Sequence, residues 1–152
     1  MLLEGILIVL FLVLDQTSKA LARAYLPYGE SRTLLPGILG LRYSENTGAS
    51  FSIFSGKSGF LIALTACLVI ALAMFLLTHR QEPRRIRIPL VMILSGGLGN
   101  LIDRVLFSSV TDFFELLFVR FAIFNVADVL ITMGAALLII SVLCYGGLHG
   151  AK

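Results

Sequence analysis

The sequence predicts an integral membrane protein of the all-α class, a bundle of four transmembrane helices with a small extramembrane β-sheet on its outer face. Of the 152 residues, 58% are hydrophobic and only 14% are charged, whereas roughly a quarter of the residues in an average soluble domain are charged. The mean hydropathy is +0.97. The apolar residues fall into four segments separated by polar stretches, and a helical span needs about 20 such residues.

The four spans are predicted at about 2–22, 60–78, 87–102 and 121–145, within a single membrane domain of residues 1–152. The first span must continue past Asp15, because residues 1–14 would cover only about 20 Å of a hydrocarbon core about 30 Å thick. Asp15 and Lys19 then share a helix face and can neutralise each other. They either anchor the end of the helix or support a site directly, and both interpretations stay open. The first segment lacks a basic start and a small-residue cleavage site, so we expect it to be retained.

Residues 25–59 form a polar outer segment that glycine and proline interrupt repeatedly, which indicates turns and short strands. Leu39, Leu41 and Tyr43 alternate with Gly40, Arg42 and Ser44. Alternation with a period of two is typical of a half-buried strand. The segment is therefore predicted to contain a small sheet.

The loop 79–87 is predicted to be cytoplasmic because it contains four arginines in nine residues. Both termini then lie on the cytoplasmic side, and residues 25–59 and 103–121 lie outside. The outer side carries seven basic residues and the inner side five, so this orientation depends on the local density of arginines. The net charge of +3 reflects residues that flank a membrane, and no nucleic-acid partner is expected.

A four-span topology brings every aspartate of the chain to one membrane face. The ends of spans one and three and the start of span four all lie there, and with them come Asp15, Asp103, Asp112 and Asp128. Asp112 is expected in a loop. Asp128 is expected a turn or two inside an apolar segment, where an ionisable side chain is costly and is a functional-site hypothesis by default.

Amide and guanidinium side chains accompany these aspartates. Asn125 lies three residues before Asp128 and could hold its carboxylate by a hydrogen bond. Asn100 and Arg104, at the outer end of span three, could bind a carboxylate or a substrate carbonyl. The nearby glycines, among them Gly96, indicate close helix packing.

Two carboxylates that lie close together cannot both ionise readily, so the pair can activate a water molecule and protonate a leaving amine. Other chemistries fit less well. Both histidines are predicted on the opposite face, which leaves a serine nucleophile without a base. Cys67 and Cys144 lie mid-span and are interpreted as small hydrophobic residues. Lys19 and Arg104 disfavour a divalent cation, so neither a metal nor a cofactor is expected.

The chain resembles the bacterial lipoprotein signal peptidases (signal peptidase II), which are membrane aspartyl peptidases. The resemblance rests on five blocks in order along nearly the whole chain: Asp15-Gln16-Thr17-Ser18-Lys19, Asn46-Thr47-Gly48-Ala49-Ser50-Phe51, Gly99-Asn100-Leu101-Ile102-Asp103-Arg104, Val110-Thr111-Asp112-Phe113 and Phe124-Asn125-Val126-Ala127-Asp128. One difference is that Ser95-Gly96-Gly97 stands where the family usually has Gly-Gly-Ala. Small residues replace small residues there, so we expect the packing to be preserved.

The resemblance implies that Asp112 and Asp128 form a catalytic pair. It implies that substrate is bound, or the site supported, by Asp15, Lys19, Asn46, Gly48, Asn100, Arg104, Asn125 and Ala127. The implied substrate is a prolipoprotein that carries a diacylglyceryl group on the cysteine after the cleaved bond. Membrane lipids and the inhibitor globomycin are further implied partners, and the chain is expected to act as a monomer. The implied location is the bacterial inner membrane, with the active site at the periplasmic face.

Three other kinds of protein use or tolerate intramembrane carboxylates. A small four-helix transporter could pass protons through a buried acid, although the long outer segment is more than such a protein needs. A scaffold protein would leave the aspartates replaceable. A presenilin-type protease would carry Gly-x-Gly-Asp, whereas this chain has Gly97-Leu98-Gly99-Asn100.

Overall fold

Four long helices and one small sheet make up the protein, whose structure is a computed structural model describing residues 2–48 and 56–149, with side chains as far as Cys144. The elements follow in the order α1 (Leu2–Tyr25), β1 (Ser31–Leu35), β2 (Leu39–Asn46), α2 (Ser58–Thr78), α3 (Arg84–Phe107), β3 (Val110–Leu116) and α4 (Val126–His149). All four helices are long and apolar enough to cross a membrane. The predicted fold class is therefore confirmed. The predictions for Ala49, Ser50, Phe51 and the C-terminal tail fall outside the described residues.

Helix α3 is the centre of the bundle and packs against each of the other three helices. A Cβ atom added at Gly96 would collide with the carbonyl oxygen of Ala127, and one added at Gly99 would collide with the carboxylate of Asp15. These glycines therefore let α4 and α1 approach α3 closely, as small residues do in membranes. Leu76, Leu90, Val91 and Leu94 form the apolar core farther along the bundle.

A bidentate ion pair closes the end of the bundle opposite the sheet. The Arg87 guanidinium donates from Nε to Oε1 of Glu4 at 2.6 Å and from Nη2 to Oε2 at 2.8 Å. Its Nη1 also donates to the carbonyl oxygen of His79 at 2.7 Å. One of the four arginines in the basic loop is thus committed to holding α1, α2 and α3 together.

The three strands form one antiparallel sheet in the order β1-β2-β3. The strand predicted around Leu39 to Tyr43 lies in β2, although Gly40 is its buried residue and Leu41 and Tyr43 are only partly buried. A side chain at Gly40 would meet Ser31 and Leu117, which explains why the position is filled by glycine.

Strand β3 corrects the expectation that Asp112 lies in a loop. Its pairing sets Asp112 opposite Ser44 of β2. That partner lies far back in the sequence, so local alternation of residues around Asp112 gives no sign of the pairing.

Two helix boundaries also differ from the predicted spans. Helix α3 includes Arg84 and continues to Phe107, beyond the predicted range of 87–102. Asp103 lies within it and is paired with the buried Lys19. Helix α4 begins at Val126 and not near 121, because Phe124 is hydrogen-bonded to Phe114 in an extended conformation. Asp128 was expected a turn or two inside the apolar segment, and it lies in the first turn of α4.

Candidate active site

Asp112 and Asp128 are brought together by a short return of the chain after β3. The backbone N–H groups of Phe113 and Phe114 both donate to the carbonyl oxygen of Phe124, at 3.0 and 2.8 Å, and the N–H of Phe124 donates to the carbonyl oxygen of Phe114. These bonds hold the residues before α4 against the edge of β3. The first turn of α4 consequently starts beside Asp112.

Asn125 and Asp128 cap the start of α4 reciprocally. The Oδ1 atom of Asn125 accepts a hydrogen bond from the backbone N–H of Asp128 at 3.0 Å, and Oδ2 of Asp128 accepts one from the N–H of Asn125 at 3.2 Å. This is the geometry of a capping box. A carboxylate is also stabilised at a helix N-terminus by the helix dipole.

The side-chain amide of Asn125 has a different partner from the one predicted. Because Asn125 Oδ1 faces an N–H donor, its Nδ2 points the other way and donates to Oδ1 of Asp112 at 2.6 Å. Asn125 therefore contacts both aspartates. Its backbone N–H donates to the carboxylate of Asp128, and its side-chain nitrogen donates to the carboxylate of Asp112.

All four carboxylate oxygens of the pair accept a hydrogen bond. Asp112 accepts from Asn125 at Oδ1 and from Nδ2 of Asn46 at Oδ2, the latter at 3.1 Å. Asp128 accepts from Nδ2 of Asn100 at Oδ1, at 2.9 Å, and from the Asn125 backbone at Oδ2. A carboxylate oxygen has two acceptor sites, so each oxygen keeps one for a proton or a water molecule. Both carboxyl groups are therefore held in a fixed orientation and can still bind a proton or a water molecule.

A buried lysine determines which way the Asn100 amide points. Nζ of Lys19 donates to Oδ1 of Asn100 at 2.9 Å, and Nδ2 of Asn125 lies 3.2 Å from the same oxygen. An atom that faces an ammonium group must be the amide oxygen. The nitrogen of Asn100 is therefore directed at Asp128.

Lys19 is fully buried and is balanced by two equally buried carboxylates. Its Nζ lies 3.0 Å from Asp15 Oδ2 and 3.6 Å from Asp103 Oδ2. The other oxygen of Asp15 accepts the backbone N–H of Ala127 in α4 at 2.9 Å. The predicted Asp15–Lys19 pair thus exists, and both residues act on the aspartate pair through α3 and α4, with no direct contact to it.

Several residues of this network were not among the predicted support residues. Gln16 Nε2 bridges Asp15 and Asp103, at 3.1 and 3.3 Å, and Arg23 donates to Oγ1 of Thr111 at 2.7 Å. Asp103 accepts the backbone N–H of Thr111 at 2.9 Å, which ties α3 to the strand that carries Asp112. Gln16, Asp103 and Thr111 all occur within the five blocks noted above. Their place in those blocks is the feature of the sequence by which they could have been predicted as support residues.

Arg104 and Gly48 link α3 to the outer segment. Nη2 of Arg104 donates to the carbonyl oxygen of Gly48 at 3.1 Å, and the N–H of Gly48 donates to Oδ1 of Asn46 at 2.9 Å. Asn46 in turn holds Asp112. Nε of Arg104 is buried and has no hydrogen-bond partner within residues 2–48 and 56–149.

The surroundings of Asp112 favour its protonated form. Burial, together with the negative charge of Asp128, raises the pKa of Asp112 to about 7, against the opposing effect of the Asn46 and Asn125 amides. A carboxyl group with such a pKa can hold a proton at neutral pH. Within the described part of the chain, no three His, Cys, Asp or Glu side chains are grouped to bind a metal ion.

A cavity of about 590 Å³ opens beside the pair. Asp112, Asp128, Asn46, Asn100 and Arg104 lie at its polar end. Its remaining walls are mostly apolar residues of α2, α3, α4 and the stretch 116–124, including Leu68, Leu72, Ile93, Phe121 and Met133. This cavity, called the apolar groove below, thus combines apolar walls from three membrane helices with the two carboxylates.

The fold and this site define the class of the protein as a multi-pass membrane protein with a preorganised polar centre. Two solved structures of bacterial membrane enzymes, both obtained by the in meso method, resemble it closely. One has a TM-score of 0.91 and 31% identity, covering 98% of this chain and 92% of its own. The other has a TM-score of 0.84 and 32% identity, covering 92% of both chains.

Comparison of the amino-acid sequence with known proteins identifies the family of this chain. The family model described as signal peptidase (SPase) II matches residues 7–144. A lipoprotein signal peptidase of Clostridium tetani is 37% identical over 99% of this chain and 98% of its own length, and one of Streptococcus pyogenes is 40% identical over 88% of both. The chain belongs to the signal peptidase II family, the lipoprotein signal peptidases, and is a protease of the aspartic peptidase class.

Proposed function

We propose that the protein removes the signal peptide from diacylglyceryl-modified prolipoproteins, cutting immediately before the lipidated cysteine, with Asp112 and Asp128 as the catalytic pair. Membership of the lipoprotein signal peptidase family supports the cleavage reaction. The observation that carries the choice of residues is the apolar groove that ends at two carboxylates with every oxygen fixed by a hydrogen bond.

In this mechanism the pair carries one shared proton. The ionised carboxylate accepts a proton from water as the water oxygen bonds to the scissile carbonyl carbon. The protonated carboxyl donates to the carbonyl oxygen. When the C–N bond breaks, the carboxyl that took the proton from water donates it to the leaving amine, and the other carboxylate takes back the proton from the hydroxyl formed on the carbonyl oxygen, so that the pair again holds one proton. The apparent pKa values belong to the pair and not to either aspartate alone.

The groove is suited to the apolar segment of a signal peptide. Its walls include residues of α3 from Ile93 to Arg104, and these 11 helical steps correspond to about 16 Å along the axis. The apolar part of the peptide would lie among α2, α3 and α4, with the scissile bond at the polar end. Arg104 lines this end, where its guanidinium could bind a substrate carbonyl.

The proposed setting follows from the lipid on the substrate. The acyl chains would remain in the outer leaflet of the bacterial inner membrane while the peptide bond reaches the aspartates at the periplasmic face. Both termini and the basic loop 79–87 would then be cytoplasmic. A globomycin-type peptide would occupy the same groove, and one chain supplies all the proposed residues.

The substrate requirement gives a direct test. Purified protein in lipid vesicles is expected to cleave a prolipoprotein that carries diacylglycerol on its cysteine, and to cleave the unmodified precursor far more slowly. The reason is that the acyl chains hold the bond at the membrane surface, with about 0.8 kcal/mol of membrane affinity per buried methylene. Product is measured by the mass of the released signal peptide. Equal turnover of both precursors would contradict the role of the lipid, and absence of any product would contradict the function.

The pH dependence of cleavage tests the shared proton. Because the pKa of Asp112 is raised to about 7, the pair keeps its proton below that pH and loses it above, so the cleavage rate is expected to fall on the alkaline side. Asn46→Ala removes a donor that stabilises the ionised form of Asp112. The alkaline limb of this variant should therefore move to higher pH, measured with the lipid-modified precursor.

Glu45→Ala is the matched control for Asn46→Ala. Glu45 is the neighbouring residue on β2, is exposed, and bonds to the hydroxyl of Tyr43. Its removal should leave the alkaline limb where it is in the wild type. If the alkaline limb of Asn46→Ala lay at the same pH as that of the wild type, or at a lower pH, the assignment of Asp112 to the pair would be contradicted.

A further inference from the structure

One end of the sheet exposes a continuous set of large apolar side chains that the proposed reaction does not use. They belong to the end of β1, to the β1–β2 turn and to the turn that follows β3, and between 38% and 67% of each is exposed: Leu34, Leu35, Ile38, Leu117, Phe118 and Val119. We call this set the apolar edge. The two turns are joined by a hydrogen bond from the N–H of Leu117 to the carbonyl oxygen of Ile38, at 3.0 Å.

We propose that the apolar edge is immersed in the lipid leaflet beside the site, so that the sheet is a membrane-inserted element of the protein. Exposed apolar patches of this kind mark membrane or protein contact sites. This inference goes beyond the cleavage reaction and does not depend on it, since it concerns only how the sheet meets the bilayer.

Continuity with the membrane-spanning surface favours lipid as the occupant. Leu116 and Phe121, which immediately flank the second turn, line the same cavity as Thr65 and Leu68 of α2. Helix α2 contains no charged residue between Ser58 and Thr78, and Thr65 is about 10 Å along the helix from Ser58. The turn therefore borders a cavity whose other wall is a part of α2 that lies among the lipid acyl chains.

The charges around the apolar edge are those of a lipid-facing surface. Arg32 and Arg120 flank the two turns and are exposed, and the nearest acidic residues, Glu30 and Glu115, lie just outside the stretches 31–39 and 116–121. Long basic side chains at such positions can extend to phosphate groups while their stems cover apolar surface. An acidic residue there would be repelled by anionic lipid.

The chain contains no tryptophan, so a single introduced tryptophan reports on its own surroundings. Phe118→Trp places a reporter on the turn after β3, and Leu35→Trp places one at the end of β1. Ile70→Trp, on the exposed face of α2, is the lipid reference, and Glu30→Trp, exposed just before β1, is the water reference. Each intact variant is placed in vesicles whose lipids carry bromine on the acyl chains, which quenches tryptophan on contact.

Phe118→Trp and Leu35→Trp are expected to emit at shorter wavelength than Glu30→Trp and to be quenched by brominated acyl chains, approaching Ile70→Trp. Emission and quenching equal to those of Glu30→Trp would overturn the proposal. A short-wavelength emission without bromine quenching, accompanied by cross-linked dimers, would also overturn it, because a second copy would then cover the apolar edge.

Discussion

Asp112→Asn and Asp128→Asn are each expected to reduce cleavage of a diacylglyceryl-modified prolipoprotein by roughly 10³-fold or more, since neither amide can accept or release the catalytic proton. The substitution keeps the size of each side chain, so the helices should still insert and pack. Cleavage is measured as single-turnover product formation in vesicles. Thermal unfolding of each variant in detergent checks that the fold is retained.

Glu115→Gln serves as the matched control, since Glu115 lies on the same strand as Asp112 and pairs with Arg42 at the sheet surface. This variant should cleave at close to the wild-type rate. Full activity in either aspartate variant would refute the catalytic pair. Loss of proton transport with normal cleavage would instead favour a transporter role for the buried acids.

Replacing Lys19 by methionine is expected to lower the free energy of unfolding by about 3 kcal/mol or more, because two buried carboxylates would lose their shared cation. Asp15 and Asp103 are both completely buried and lie within 3.6 Å of Nζ. The cleavage rate should also fall, since the Asn100 amide loses the donor that orients it toward Asp128. Thermal unfolding and cleavage are measured on the same preparation.

Two further variants make the Lys19 result specific. Adding Asp15→Asn to Lys19→Met removes one of the stranded charges and should recover part of the lost stability. Arg23→Gln removes a cation that also faces Asp103 but is partly exposed, so it should cost only about 1 kcal/mol. A Lys19→Met variant as stable as the wild type would mean that the two carboxylates do not need this cation.

The helices and the meeting of the aspartates were predictable from the sequence because both follow from the membrane itself. Four apolar segments must cross the bilayer, and their alternating direction brings Asp15, Asp103, Asp112 and Asp128 to one end of the bundle. The helix spacing of Asp15 and Lys19 also predicted an ion pair that the structure contains. These inferences need only chain direction and helix geometry.

The details of the site depend on contacts between distant parts of the chain and could not be predicted. The pairing of β3 with β2 puts Asp112 on a strand, and the backbone bonds of Phe124 move the start of α4 to Val126. The amide nitrogen of Asn125 donates to the carboxylate of Asp112, and not to that of Asp128, because the amide oxygen already accepts the backbone N–H of Asp128. The ion pair between Glu4 and Arg87 could not be predicted either, because the two residues are 83 positions apart in the sequence.

The ion pair between Asp15 and Lys19 has a consequence for biosynthesis. Helix α1 is made first, whereas Asn100 and Asp103, which complete the surroundings of Lys19, are synthesised much later. A cation and an anion one turn apart neutralise each other inside a single helix, so α1 can be inserted into the bilayer without waiting for a partner. When α3 arrives, Lys19 already has one carboxylate and acquires the second. The charge pair that later orients the site thus first lets its own helix cross the membrane alone.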